Sequence, residues 1–245
     1  MLMERKIPVS LNKPNVQRQI AVVSSSISHG GTVLTKNLAT DTWWGKASWE
    51  DYIALTENPA YADGRFYYHQ GLLRIEMSPL GPRYGRQNSV ISKAVSLFAT
   101  IKNVRIVELA NTSFRKVGIG EFQPDLAFYI GSGLRVPPLT DTPVDLQQYD
   151  PPSLVVEIGD STVSDELGRK RLLYEESGIR EYWVDDLNVK EVIALTIANG
   201  LSGRIRESRV LPGLAIALVE DAIKRSYSED DTKINLWLLK TFSQG

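Results

Sequence analysis

Two carboxylates and a lysine are the residues of this chain whose types and spacing suit hydrolytic chemistry. Asp125 follows Pro124 at the start of the apolar run LAFYI, and Glu157 closes the apolar run LVVE. Lys170 lies in the next amphipathic segment, at 165–177. If the two apolar runs form neighbouring strands, both acids emerge at the same edge of the sheet.

Such a set predicts a magnesium-dependent phosphodiester hydrolase. Mg²⁺ prefers oxygen ligands and needs only one or two protein carboxylates, so Asp125 and Glu157 are the predicted ligands, with the main-chain carbonyl of Ile158 as a third. A nearby lysine supplies a compact positive charge that orients hydroxide and stabilises charge on the phosphoryl group. We therefore predict Asp125, Glu157 and Lys170 as catalytic residues, and Mn²⁺ as a substitute for Mg²⁺.

The same residues also have a purely structural interpretation. A proline–aspartate pair is common in turns, and a glutamate that ends a strand is often half of an ion pair, here with Arg115, Lys116 or Lys170. The position of Glu157 at the end of an otherwise apolar strand favours a functional role over a structural one. A carboxylate beside a core is costly unless something pairs with it.

Composition restricts the class of protein. The chain has 245 residues, enough for one domain with an arm. It contains no cysteine, which excludes disulfides, thiolate zinc sites and cysteine nucleophiles. No apolar run is long enough to span a membrane, and the N-terminus lacks the pattern of a secretory signal. These features predict a soluble, cytoplasmic protein.

Charge predicts that contact with nucleic acid depends on a local patch. Lys and Arg number 28 and Asp and Glu 29, which gives a net charge of −1, whereas proteins that coat nucleic acid are usually clearly basic. Basic residues in the first long helix and in the predicted strand at 203–211 are the candidate contacts. Arg204 and Arg206 are two residues apart in that strand and are predicted to share one of its faces. The candidates are Arg83, Arg86, Lys93, Arg204 and Arg206.

Periodicity and turn residues predict the elements that position these groups. Apolar residues at spacings of three and four predict a helix at 82–101, and Ser48 is a predicted N-cap for a helix at 48–58. A hairpin is predicted at 65–79, with His69 solvated at its turn. Further elements are predicted as strands at 103–110, 111–117, 126–130, 153–158, 180–186, 190–198 and 203–211, a long loop at 131–152, a helix at 165–177 and one or two surface helices in the tail.

These elements predict an α/β fold with a mixed sheet flanked by helices. Strand, helix and strand over 153–186 form a parallel crossover unit. We predict a Ser- and Gly-rich arm at 1–47, a catalytic domain at 48–218, and a C-terminal helical extension at 219–245 packed on the same domain.

Several segments together resemble the Uma-two family, a group placed in the PD-(D/E)XK restriction-endonuclease-like superfamily. The resemblance lies in WEDY at 49–52, YYHQGLLRIEMSP at 67–79, PD at 124–125, LVVEIGDS at 154–161 and the segment from Asp165 to Asp186. It also includes LPGL at 211–214 and covers roughly residues 48–218.

The resemblance implies a restriction-endonuclease-like core, Mg²⁺ bound between Asp125 and Glu157, and cleavage of DNA. The usual lysine of the superfamily stands two residues after the glutamate, where this chain has Gly159. In this family the lysine comes instead from the following helix, and the matching residue is Lys170. A histidine that often begins the first long helix is missing here, and Tyr84 lies in its neighbourhood.

Three neighbours are additional candidate site residues. Asp165 matches a recurrent acid of the family and is expected to cap its helix rather than bind metal. Tyr174 lies one helical turn beyond Lys170 and is expected to pack against the sheet. Glu76 could reach the site from the hairpin as a further acid.

Three hypotheses follow from these observations. The first is a metal-dependent endonuclease that acts on DNA as a homodimer. The second is a nuclease fold that binds DNA or regulates without cleaving, which the near-neutral charge and the displaced lysine favour. The third is an oligomeric structural protein whose Asp125 and Glu157 are buried in ion pairs and bind no metal.

Overall fold

The computed structural model describes residues 44–77, 81–159 and 163–244. The arm predicted at 1–47 lies outside the described residues except for its last four positions. No helix in the described ranges has the length and apolar character needed to cross a membrane.

The described residues form runs of strands separated by helices. The strands are β1 (Gly45–Lys46), β2 (Arg65–His69), β3 (Leu72–Glu76), β4 (Ile106–Ala110), β5 (Phe114–Lys116), β6 (Gly120–Phe122), β7 (Leu126–Ile130), β8 (Val144–Asp145), β9 (Leu154–Gly159), β10 (Glu181–Asp186), β11 (Glu191–Ala198) and β12 (Leu201–Arg204). The helices are α1 (Trp49–Thr56), α2 (Pro82–Ile101), α3 (Val163–Asp165), α4 (Arg171–Ser177), α5 (Ile216–Arg225) and α6 (Asp231–Gln244). A 3₁₀ turn spans Pro59–Tyr61, and a π-helical turn at Glu166–Lys170 joins α3 to α4.

The central sheet has the order β12-β11-β10-β9-β7-β4 and confirms the mixed α/β architecture. Strands β9 and β10 are parallel, as predicted for the crossover unit, and β7 is antiparallel to β9. All six residues of β9 are buried, because this strand is covered on both faces.

Helix α2 covers one face of this sheet and begins and ends at the predicted residues. Its buried stripe includes Val90, Ala94 and Phe98, which belong to the same core as Val156 of β9. Helices α5 and α6 complete this layer, and Phe98 meets Phe242 of α6 edge-on, with ring centroids 5.1 Å apart.

A second sheet, with the order β1-β3-β2-β6-β5-β8, packs on the central sheet, where its Tyr67 and Phe114 share a core with Val155 of β9. The hairpin of β2 and β3 turns at Gln70 and Gly71, which both have positive φ, 49° and 77°, the geometry of a two-residue type I′ turn. The expectation that His69 is solvated was wrong. It is 1% exposed and its Nε2 lies 3.1 Å from Glu176 Oε2, because it ends β2 rather than occupying the turn.

The predicted helix at 165–177 is not continuous. The π-helical turn interrupts it, and Gly168 has non-helical angles, φ −97° and ψ −107°. Glu166 and Lys170 of this turn are buried, and so are Leu173 and Tyr174. Leu172 is 41% exposed, because it is two residues from the buried Lys170 and Tyr174 and so points in a different direction.

Two later predictions also need correction. The strand expected at 203–211 is the shorter β12, which ends at Arg204, so Arg204 and Arg206 do not share a strand face. The predicted loop at 131–152 contains β8, which pairs with β5. Helix α1 agrees with its prediction, and Ser48 forms a capping box with Asp51.

Gly120 tests the close packing of the second sheet. A Cβ at Gly120 would lie 1.9 Å from the main-chain oxygen of Tyr68, so we expect Gly120→Ala to lower the free energy of unfolding by at least about 2 kcal/mol. Gly203→Ala in β12 is the control, since no atom lies within 4 Å of the added Cβ, and we expect a change within about 0.5 kcal/mol. Chemical denaturation measures both, and equal stabilities would contradict the packing.

Candidate active site

Asp125 and Glu157 come together at the edge of the central sheet. The register of β7 against β9 pairs Leu126 with Val156, so one further step brings Asp125 opposite Glu157. Alternation along the strands then points both side chains to the same face, opposite the one on which Leu126 and Val156 meet the buried stripe of α2. The main-chain N–H of Ile158 donates to Asp125 Oδ2 at 2.7 Å, which ties the two strands at this point.

Asp125 is completely buried among donors. Its Oδ1 accepts hydrogen bonds from the Arg65 guanidinium and from the Tyr84 hydroxyl, and its Oδ2 accepts from Ile158. Burial raises the pKa of Asp125 to about 6, although Arg65 and the Ile158 N–H act in the opposite direction. The carboxylate is thus easier to protonate than a solvated aspartate.

Glu157 is also buried, at 1% exposure. Its Oε1 accepts from the hydroxyls of Tyr174 and, at 3.3 Å, Tyr67. Burial raises the pKa of Glu157 to about 7; Lys170 opposes this rise, and the nearby charge of Asp125 adds to it. Two acids so close together in a dry site repel each other when both are ionised.

Lys170 lies at the centre of a ring of carboxylates. Its Nζ is 2.9 Å from Glu76 Oε1, 3.1 Å from Glu166 Oε1 and 3.5 Å from Glu157 Oε1. It also lies 3.9 Å from the centroid of the Tyr67 ring. Burial alone would lower the pKa of Lys170, but the carboxylates, Glu157 foremost, raise it well above its ordinary value. The ammonium is therefore charged.

Glu76 reaches this cluster from β3. Besides Lys170, it contacts Arg65 Nη2 at 2.8 Å and Arg74 Nε at 3.0 Å. Burial acts to raise the pKa of Glu76, but Lys170, Arg65 and Arg74 together lower it to about 2. Glu76 is thus the member of the cluster that most firmly keeps its negative charge.

Sequence reasoning missed four members of the cluster: Arg65, Tyr67, Arg74 and Glu166. Glu166 is buried; burial raises its pKa to about 8, while Lys170 opposes the rise. Its spacing of four from Lys170 is a signal of a helical ion pair. Arg65 and Tyr67 are two residues apart on β2, so their side chains point to the same face of the sheet. Only the fold shows that this face meets the acids.

Asp165 and Tyr174 differ from their predictions in different ways. Asp165 makes no capping hydrogen bond, so the expected cap was wrong; its carboxylate accepts from Trp44 Nε1 at 2.5 Å and from Arg74 Nη1 at 2.8 Å. These long-range donors take the oxygens that would cap the helix. Tyr174 packs against Phe122 and Tyr182, as expected, and also reaches Glu157.

The predicted nucleic-acid contacts lie outside this cluster, and those in the middle of α2 and beside β11 pair with acidic residues. Arg86 and Lys93 of α2 both bind Asp231 of α6. Arg204 and Arg206 both lie beside Glu191 of β11. Arg83 is exposed in the first turn of α2.

The donor set of the cluster fits a hard divalent cation. Asp125 and Glu157 supply only oxygen atoms, which Mg²⁺ prefers. Among the described residues, the hydrogen bonds to Glu157 all go to Oε1, which leaves Oε2 for a ligand. Among residues 44–77, 81–159 and 163–244, no three acidic or histidine side chains are arranged to hold a metal by themselves. Water and main-chain oxygens would complete the shell.

Comparison with known proteins places the chain in a family. A family model described as "Putative restriction endonuclease", Uma2, matches residues 49–230. No curated protein matches the chain significantly. A crystal structure at 1.96 Å resolution from Anabaena variabilis, titled as a putative nuclease belonging to DUF820, is 16% identical, with a TM-score of 0.48. The match covers 71% of this chain and 97% of that one.

The raised pKa of Glu166 predicts how stability depends on pH. Its folded value of about 8 exceeds the ordinary 4.5, so between these values the folded protein binds the proton more tightly than the unfolded chain does. The free energy of unfolding in metal-free buffer should therefore fall as pH rises from 5 to 8, at up to about 1.4 kcal/mol per pH unit for each proton. We expect Glu166→Gln to make this slope shallower in denaturation measured at several pH values.

Glu50→Gln provides the control for this measurement. Glu50 is an exposed glutamate in the first turn of α1. Its neutralisation should therefore leave the slope of the free energy of unfolding against pH equal to that of the wild type. A Glu166→Gln slope equal to the wild-type slope would show that Glu166 does not hold the proton.

Proposed function

The chain belongs to the Uma2 family of putative restriction endonucleases, and we propose that it is a magnesium-dependent endonuclease that hydrolyses DNA. One observation carries the proposal: the side chains of Asp125, Glu157 and Lys170, which are far apart in sequence, converge in one buried cluster. Perturbed acids beside a specific cation are typical of functional sites.

Asp125 and Glu157 are the residues that would hold the ion. Bound Mg²⁺, or Mn²⁺ in its place, supplies Lewis-acid stabilisation of the phosphoryl oxygens and makes bound water more acidic. Ile158 fixes one oxygen of Asp125 through its N–H, and Tyr67 and Tyr174 hold one oxygen of Glu157. These donors leave each carboxylate little freedom to rotate.

Lys170 supplies the positive charge of the reaction. Its Nζ lies beside Glu157, so the ammonium can hydrogen-bond the attacking water and stabilise the charge that develops on the phosphoryl group. Glu76 and Glu166 keep the ammonium in place. Lys170 thereby takes the role that Gly159, without a side chain, does not fill.

Simultaneous cleavage of both DNA strands needs one active site for each strand, so we propose a homodimer in the cytoplasm as the acting species. This part of the proposal rests on the chemistry of a double-stranded substrate and on the family, whose description names restriction endonucleases.

A second candidate function is DNA binding without cleavage. The observation in its favour is that cations of the chain already neutralise both acids: Arg65 binds Asp125, and Lys170 lies beside Glu157. Such a site would not need a metal ion to offset its charge.

Cleavage of plasmid DNA in Mg²⁺ or Mn²⁺ tests the first function. We expect Asp125→Ala and Glu157→Ala each to slow cleavage by about a thousandfold or more, because each removes a ligand of the ion, and Lys170→Met to slow it by about a hundredfold or more, because it removes transition-state charge stabilisation. Asp141→Asn is the control: Asp141 is exposed in the loop before β8 and should cut like the wild type. Cutting that persists in Asp125→Ala protein would refute the site.

Metal binding distinguishes a metal-dependent enzyme from a structural protein in which Asp125 and Glu157 form only ion pairs. We expect calorimetric titration of the wild type with Mn²⁺ to show a site-specific heat that Asp125→Asn removes, because the amide lacks the charge a hard cation requires. The Asp141→Asn protein should titrate like the wild type. Identical heats for wild type and Asp125→Asn would mean that the ion, if bound, lies elsewhere.

A further inference from the structure

Arg65 is the cation of the cluster that is most open to solvent. Its side chain is 17% exposed, whereas the side chains of Arg74 and Lys170 are 1% and 0% exposed. Arg65 lies on β2 and reaches Asp125 from the side of the second sheet. Of these three cations, Arg65 is therefore the one that a molecule in solvent can reach.

The contacts of Arg65 divide between a proposed metal ligand and a residue with no such role. Its Nη1 donates to Asp125 Oδ1 and lies 3.1 Å from the Tyr84 hydroxyl oxygen. Its Nη2 pairs with Glu76 Oε2 at 2.8 Å. Because Glu76 has a low pKa and stays charged, this second contact anchors the guanidinium whatever happens at Asp125.

A divalent cation on Asp125 competes directly with Arg65. The cation needs the negative charge of Asp125 and repels the guanidinium, while Ile158 continues to hold the other oxygen. The guanidinium cannot lose its proton, so the N–H groups released from Asp125 must find another acceptor. They remain tethered by Glu76, close to the ion and at the exposed edge of the cluster.

We propose that Arg65 exchanges Asp125 for a phosphate of the nucleic-acid backbone when a divalent cation binds, and so is a substrate-binding residue of this site. The planar fork of a guanidinium matches two phosphate oxygens, which a lysine cannot do. This inference rests on the proposed function, since it takes the metal on Asp125 and DNA as the substrate.

Other basic residues are less suited to this task. Arg74 and Lys170 are buried, and each is held by two or more carboxylates. Arg86 is engaged by Asp231 on the far helical layer. Arg65 alone among these combines partial exposure with a direct contact to a proposed metal ligand.

Equilibrium binding of a short fluorescein-labelled DNA duplex tests the proposal without reference to turnover. Anisotropy is measured in Ca²⁺, which takes the same kind of oxygen ligands, and again in EDTA, with gels to verify that the duplex stays intact. In Ca²⁺ we expect Arg65→Met to weaken binding by about tenfold to a hundredfold and to reduce the salt slope by about 0.9. In EDTA the substitution should change binding by less than about twofold, because Arg65 is then retained by Asp125 and Glu76.

Two matched variants control for charge and for general damage. Arg65→Lys keeps the charge and loses the fork, so it should keep the wild-type salt slope and bind several-fold more weakly than wild type. Arg115→Met makes the same substitution at another arginine that pairs with a buried glutamate, Glu121, at 2.5 Å, and should bind DNA like the wild type. Circular dichroism at each condition verifies that every variant is folded.

The outcomes separate this inference from the proposed function. Equal loss in Ca²⁺ and EDTA would indicate a merely structural Arg65 and overturn the proposal, as would wild-type binding by Arg65→Met in Ca²⁺ or a wild type that binds no DNA. Metal-dependent loss in a protein that never cleaves would support the role of Arg65 and refute the endonuclease. Cleavage by a wild type whose Arg65→Met variant binds DNA normally would do the reverse.

Discussion

The burial of the Lys170 ammonium is the constraint on which the rest of the site depends. A buried charge without a partner costs several kcal/mol, and this one is fully buried with three carboxylates within 3.5 Å. Those carboxylates come from β3, β9 and the π-helical turn. The ion-pair cluster therefore holds two sheets and a helix in one arrangement, and displacement of any of the three would remove a partner of the buried ammonium.

The same cluster is poised between two ways of neutralising its acids. Without metal, Arg65 and Lys170 offset the charges of Asp125 and Glu157, while burial raises the pKa of both acids. A divalent cation would stabilise their ionised forms and release Arg65 from Asp125, while Lys170 stays on Glu76 and Glu166. Arg65, which is partly exposed, is the cation best placed to make that change. Positive charge thus lies next to the acids, where the proposed phosphodiester hydrolysis would use it.

The sequence predicted those parts of the site that are determined by the residues close to them along the chain. Helix α2 and the adjacency of Asp125 and Glu157 follow from periodicity and from two apolar strands, each with one acid at its end. Glu166 and Arg65 were missed because a charged residue in a helix or strand is usually solvated, and only long-range packing buries these two. Asp165 was assigned to a cap for a similar reason: its partners, Trp44 and Arg74, are distant in sequence.

Anomalous diffraction from crystals soaked in Mn²⁺ tests the central claim most directly, since it locates the ion and the side chains around it together. The account predicts a single strong peak within coordination distance of a carboxylate oxygen of both Asp125 and Glu157, with Arg65 still on Glu76 but no longer on Asp125. Lys170 should remain beside Glu76 and Glu166. Saturating Mn²⁺ that leaves no peak there, with Arg65 still bound to Asp125, would contradict it.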